Sequence, residues 1–270
     1  MTRFARYIGI DYSGAKTADS SLPGLRVYLA EAGQDEPREC LPPPGRRKYW
    51  SRRGLAAWLT DTLRDASPTL VGIDHGFSFP LAYFEQHRLP LDWPFFLDDF
   101  RRHWPTDEEQ VCVDSIRRGV YGNAAARSGD RRWRRLTEQR AGSAKSVFHF
   151  DVQGSVAKST HAGLPWLYHL RRALGTHLHG WPFDGWQPPE GCSVIAEVYP
   201  RLWNRLYPGP GRSSHQQDAY AVARWMQEAD RSEVLEQFWQ PPLSPPEREI
   251  ARVEGWILGV GAASDSAAGT

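Results

Sequence analysis

Tyr7-Ile8-Gly9-Ile10-Asp11 is a short apolar run closed by a carboxylate, and Leu70-Val71-Gly72-Ile73-Asp74 repeats it. Val194-Ile195-Ala196-Glu197 is a third, weaker version. Runs this short and this continuously apolar suit strands covered on both faces of a sheet. Each ends in an acid, so neighbouring parallel strands would bring Asp11, Asp74 and Glu197 to one edge. Glycine before each Ile-Asp pair leaves space for a close approach beside the acid.

Around these runs the pattern predicts strands over 25–31 and 38–41, then a helix over 51–65 capped by Ser51. Pro80 opens a short helix. From about 88 to 146 the chain is rich in Arg, Trp, Pro and Gly with little periodicity, and reads as an insertion. A short strand is expected over 147–152, a partly helical stretch over 157–174 starting near Leu164, and a strand over 192–198. Pro200 opens another turn of helix. Ser214 is placed as the cap of a well-patterned helix to Glu228, and smaller helices follow over 232–239 and 245–253. Three early strands as a meander, then parallel strands on right-handed crossovers, make an α/β fold. This is the ribonuclease H-like three-layer plan, a mixed sheet with helices on both faces. It reads as one domain over 1–260 carrying the insertion, with a disordered Ala/Ser/Gly tail at 261–270.

Composition narrows the function classes. Net charge is +1, so bulk attraction to nucleic acid or an anionic membrane is not expected. Of 33 cations 29 are Arg, which makes any single Arg cluster less informative. Three scattered cysteines imply neither a zinc site nor a disulfide framework. No apolar run approaches the ~20 residues of a membrane span. With no leader before the first strand, the expectation is a cytoplasmic protein.

The late helix adds a fourth acid. Its apolar stripe is Ala221, Val222, Trp225 and Met226, and Asp218 shares that buried face. A core-facing carboxylate is costly unless paired, hydrogen-bonded or bound to a cation. Asp11, Asp74, Glu197 and Asp218 together would repel one another, and Mg²⁺ or Mn²⁺ would relieve this because both prefer hard oxygen ligands. Such ions activate water for attack on a phosphodiester. Lys158 is placed at the same cleft as a phosphate or carboxylate partner. Gly154 to Thr160 only superficially resembles a phosphate loop, since Ala157 and Val152 replace both required glycines. Candidate substrate contacts are Ser13, Lys16 and His75, with Arg131, Arg132 and Arg134 of the insertion, where Arg and aromatic residues interleave as nucleic-acid binding requires. His161, His169, His177, His179 and His215 show no metal-binding spacing.

The segments Ile8-Gly9-Ile10-Asp11-Tyr12-Ser13-Gly14-Ala15, Gly72-Ile73-Asp74, Gly154-Ser155-Val156-Ala157-Lys158, Gly163-Leu164-Pro165, Glu197-Val198-Tyr199-Pro200 and Asp218-Ala219 occur in this order. Together they resemble the predicted ribonuclease H-like nucleases catalogued as domain of unknown function 429. The resemblance implies that fold and, by analogy, metal-dependent hydrolysis. This chain departs in carrying His75-Gly76 after Asp74 and a single acid at the head of the late helix. The expected activity is a Mg²⁺- or Mn²⁺-dependent phosphodiester hydrolase acting on nucleic acid or another phosphodiester. Its rivals are an actin-like phosphotransferase, with ATP held at Ser13-Gly14-Ala15-Lys16 and Asp74 as base, and a catalytically inactive binding module.

Overall fold

The computed structural model describes residues 2–45 and 47–261. The chain runs β1 (Arg6–Asp11), β2 (Arg26–Glu31), β3 (Arg38–Glu39), α1 (Arg52–Thr62), β4 (Thr69–Asp74), α2 (Leu81–His87), α3 (Trp93–His103), α4 (Val113–Arg117) and α5 (Leu136–Arg140). It continues with α6 (Ala157–Leu174), β5 (Leu178–Trp181), β6 (Ser193–Glu197), α7 (Ser214–Arg231), α8 (Leu235–Phe238) and α9 (Pro245–Glu254). The six strands form one mixed sheet in the order β3-β2-β1-β4-β6-β5. β1, β2 and β3 pair antiparallel, whereas β4, β6 and β5 join β1 in parallel. Among the described residues no helix is long and apolar enough to cross a membrane. The expectation for the tail, from 262 onward, lies outside the described residues.

Strand alternation assigns the apolar residues to two cores. Ile8, Ile10, Val71, Ile73 and Ile195 pack with Leu55 and Leu59 of α1, Phe96 and Phe100 of α3, and Leu164 and Leu167 of α6. Tyr7, Leu70, Val194 and Ala196 pack on the other side with Ala219, Val222, Ala223 and Met226 of α7. Helices therefore cover both faces. Gly9, Gly72 and Ala196 lie in one row across three strands. That row is where α7 crosses. A Cβ on Gly9 would stand 2.2 Å from the Ala219 carbonyl oxygen, and one on Gly72 would stand 2.8 Å from Val222. Gly9 thus admits the helix backbone and Gly72 the Val222 and Met226 side chains, which corrects the expectation that the glycines clear space beside the acids.

The insertion is more deeply integrated than its composition suggests. Trp93, Phe96, Phe100 and Trp104 of α3 and its end are buried in the first core. The expected strand over 147–152 is absent; these residues form turns. Val147 and Phe148 are apolar because they plug the core, with Phe148 4.6 Å from Phe79 between ring centroids. α6 begins at Ala157 and continues through Pro165, not from near Leu164. Proline cannot donate to the carbonyl of residue 161, four positions back. Thr106 Oγ1 donates to that carbonyl at 3.0 Å instead, so the ladder is repaired from outside the helix. Ser213, not Ser214, caps α7, accepting from the Gln216 amide at 3.3 Å.

Candidate functional site

Asp11 and Asp74 are register partners at the carboxyl ends of two adjacent parallel strands. They share the parity of Gly9 and Gly72, so both point to the α7 side of the sheet. There α7 sets His215 and Asp218 three residues apart on one face. Asp11 is buried, and its Oδ2 accepts from His215 Nδ1 at 2.6 Å. Asp218 Oδ1 accepts from Asn204 Nδ2 at 3.0 Å. Asp74 has no hydrogen-bond donor or ion pair among the described residues.

Electrostatics match this geometry. Burial, followed by the charges of Asp11, Asp218 and Glu197, holds the Asp74 carboxyl well above the usual carboxylate range. Burial also pushes Asp11 up to about 6, with Asp218 adding to the effect and His215 opposing it. The hydrogen bond to Asp11 raises the His215 imidazole in return. Three carboxylates therefore face one corner, and the one lacking a donor is the most strongly perturbed. Among the described residues no three His, Cys, Asp or Glu side chains stand close enough to hold a metal ion. Asp11 and Asp218 are each drawn to a neighbour, His215 and Asn204.

Glu197 does not join this group. β6 pairs with β4 so that Glu197 lies beside Ile73, not beside Asp74. Its side chain consequently takes the opposite parity. Arg135 donates to both its oxygens at 2.6 Å, and the Phe77 amide donates to Oε2 at 3.0 Å. Arg135 also donates to Glu138 at 2.8 Å, and all three side chains are buried. Glu197 thus anchors the turn after β4 to α5.

The other predicted contacts scatter. Ser13 borders His215, since a Cβ on Gly24 between them would lie 3.6 Å from Ser13 Oγ and 3.3 Å from His215 Nε2. The Lys16 side chain is exposed, and its carbonyl accepts from Arg52 at 3.0 Å. The Lys158 ammonium is paired with Asp114 at 2.8 Å. Arg132 pairs with Asp130 at 2.8 Å, Arg134 donates to backbone carbonyls including Ala144 at 2.9 Å, and Arg131 is exposed beside them. Arg101, Arg117 and Arg127 are likewise paired, with Asp107, Asp151 and Asp99. Arg101, Arg117, Arg127 and Arg132 are thus held by carboxylates and Arg134 by carbonyls, which breaks up the expected basic track.

His75 is a packing residue, not a substrate contact. It is buried, with its ring 4.7 Å from Tyr12 and its Nδ1 donating to the Gly76 carbonyl at 2.9 Å. Burial lowers it to about 4. His161, caged by Phe79, Phe100, Trp104 and Phe150, is lowered to about 3 by the same cause. Both imidazoles fold uncharged but take up protons below pH ~6.5 when unfolded. Their contribution is thus present above that pH and is lost as pH falls toward the folded values. His161→Phe, which keeps the aromatic cage, should flatten the dependence of unfolding free energy on pH between 6.5 and 4 by up to about 1.4 kcal/mol per pH unit. Urea titrations at several pH values would measure this, and an unchanged slope would reject it.

No metal-binding spacing marks His215, yet its position three residues before Asp218 was the available signal. Asn204 and Arg135 carried none, because Asp218 and Glu197, the acids they hold, lie on other elements. Comparison with protein-family models, curated proteins and solved structures finds no match for this chain.

Proposed function

We propose that this chain is a divalent-cation-dependent phosphodiester hydrolase of the ribonuclease H-like type, with Asp11, Asp74 and Asp218 as its reaction centre. The observation that carries the reading is the in-register pair Asp11 and Asp74, on one face, with Asp74 lacking any donor among the described residues. The three-strand meander followed by parallel strands supports the fold assignment, as does the resemblance to domain of unknown function 429. The donor set suits a hard cation, being three carboxylates with too few nearby cations to balance them. Bound there, Mg²⁺ or Mn²⁺ would neutralise the carboxylates and polarise a phosphodiester oxygen.

The chain's own residues have distinct tasks in this reading. His215 orients Asp11 and holds a proton at Nδ1, while Asn204 orients Asp218. Asp74 contributes an unpaired carboxylate that can accept a proton. Asp11 and Asp218, now bonded to His215 and Asn204, would with Asp74 be the residues to hold such a cation.

The purified protein with Mn²⁺ should cleave labelled single-stranded or branched oligonucleotides. Asp11→Asn should lower that rate by at least about 10²-fold, the scale for losing one charge-stabilising group. Cleavage that survives the substitution would place the chemistry elsewhere. Absence of both cleavage and a Mn²⁺-induced thermal shift would favour a binding module, and calorimetric ATP binding would favour a phosphotransferase.

A further inference from the structure

Arg52 opens α1 and is fully buried, yet among the described residues no carboxylate pairs with it. Its acceptors are three carbonyls of one loop. Nη1 donates to Ser13 at 3.1 Å and to Ala15 at 2.7 Å, and Nη2 donates to Lys16 at 3.0 Å. That loop leaves β1 directly after Asp11 and Tyr12. Its Gly14 rests on the first turn of α6, where a Cβ would stand 2.1 Å from the Lys158 carbonyl oxygen. Lys16 has a φ of +50°, a left-handed conformation that residues with a side chain seldom adopt. The Arg53 amide donates to the Ala18 carbonyl at 3.2 Å, so α1 also holds the far end of the loop.

Burying a guanidinium without a counter-charge is costly, and a well-packed apolar side chain is often no less stabilising in such a place. Core stability alone is therefore a poor account of an arginine here. The planar fork does what an apolar group cannot: it holds several carbonyls in fixed directions at once. We propose that Arg52 is a positioning residue of the reaction centre, fixing the loop 13–16 so that Ser13 stands beside His215, the partner of Asp11. The loop carries a hydroxyl and an ammonium, on Ser13 and Lys16, of the kind that contact phosphate. Both residues hang from carbonyls that Arg52 holds. Arg52 acts through this backbone, since the charges that bear on Asp11 are those of His215, Asp218 and Arg26. Its catalytic consequence rests on the hydrolase reading above, whereas the fixing of the loop stands without it.

Trypsin acting on the full native chain should leave the bond after Lys16 intact in the parent protein. In Arg52→Met, which keeps the length and removes the donors, the first cut should fall after Lys16 and come an order of magnitude sooner, as read by mass spectrometry. Global unfolding would expose the chain's Lys and Arg residues alike, so one early cut reports the loop. Arg52→Lys keeps the charge but offers no planar fork, and it should show the same cut if Arg52→Met fails to fold. A first cut elsewhere in the variants, or equal rates after Lys16 in parent and variants, overturns the proposal. With Mn²⁺ and a labelled oligonucleotide, the folded variant should lose about 10²-fold in kcat/KM, the scale for misplacement by a change away from the chemistry. Its Mn²⁺ affinity by calorimetry should stay nearly unchanged. An unchanged rate, or a parallel fall in Mn²⁺ affinity, which would make Arg52 a prop of the whole centre, overturns the positioning role. A parent protein without cleavage sinks the hydrolase reading instead, and the tryptic pattern then decides whether Arg52 fixes the loop.

Discussion

Asp74→Asn is expected to raise the melting temperature of the cation-free protein while lowering its hydrolytic rate by at least about 10²-fold. Most buried-site substitutions destabilise, so the sign of the thermal shift is the informative part. Asp74 faces Asp11 and Asp218 without a donor, and its carboxyl is held well above the usual range by burial and those charges. An acid whose folded pKa is raised contributes stability that is fully present below its unfolded value, ~3.9, and lost as pH rises through the folded value. The folded state therefore carries a penalty that grows as pH rises above the unfolded value. Asparagine has nearly the same shape and no charge. Each kcal/mol relieved should raise the melting temperature by roughly 2–4 °C in a chain of this size class. Mn²⁺ should stabilise the parent protein and do so much less in the variant, because binding to the folded state is what shifts the midpoint. Asp11→Asn is the internal control. Asp11 already bonds His215 at 2.6 Å, so its substitution removes a charge-assisted bond and should give a smaller gain or a loss. Scanning calorimetry at pH 7.5 with and without Mn²⁺ distinguishes these outcomes. A clear fall in melting temperature for Asp74→Asn would mean that the carboxylate is well satisfied.

Much of this arrangement was legible before any coordinates. Apolar runs ending in Asp reported β1 and β4 directly, because a strand buried on both faces has few alternatives in sequence. The stripe on α7 reported Asp218 in the same way. Glu197 misled because parity depends on register. β6 pairs one residue out of step with what would align its acid to Asp74, and a one-residue offset reverses the face. Nothing within a strand's own sequence encodes its offset from a neighbour. The segment over 147–152 misled for another reason: a few apolar residues plugging a core look the same as a short strand. β5 passed unnoticed because its His179-Gly180 centre lacks the β-branched residues that mark strands. Pro165 suggested a helix start, since the repair by Thr106 comes from 55 residues away.

Arg135 was the least visible of the important residues, one arginine among many in a segment without periodicity. Its truncation should nevertheless be among the most damaging single changes in the chain. Arg135→Met is expected to cost about 3–5 kcal/mol, the range for breaking a buried ion pair by removing one partner. Arg135 is the shared cation for Glu197 and Glu138, and its removal leaves two carboxylates buried without it. The loss should be smaller at pH 5 than at pH 7. Uncompensated buried carboxylates have raised pKa values, so protonation in the folded state removes part of the penalty as pH falls. Arg135→Met combined with Glu197→Gln should recover a substantial part of the stability, because a neutral amide is less costly to bury than an unpaired charge. The effect should also reach the acids without contact. Glu197 accepts from the Phe77 amide, three residues beyond Asp74, so the clamp fixes the turn that leaves β4. If Glu197 is scaffold rather than ligand, Glu197→Gln alone should leave Mn²⁺ affinity nearly unchanged while lowering the urea midpoint. A large loss of Mn²⁺ affinity at preserved stability would return Glu197 to the ligand set, and a loss below about 1 kcal/mol for Arg135→Met would show that water reaches the pair freely.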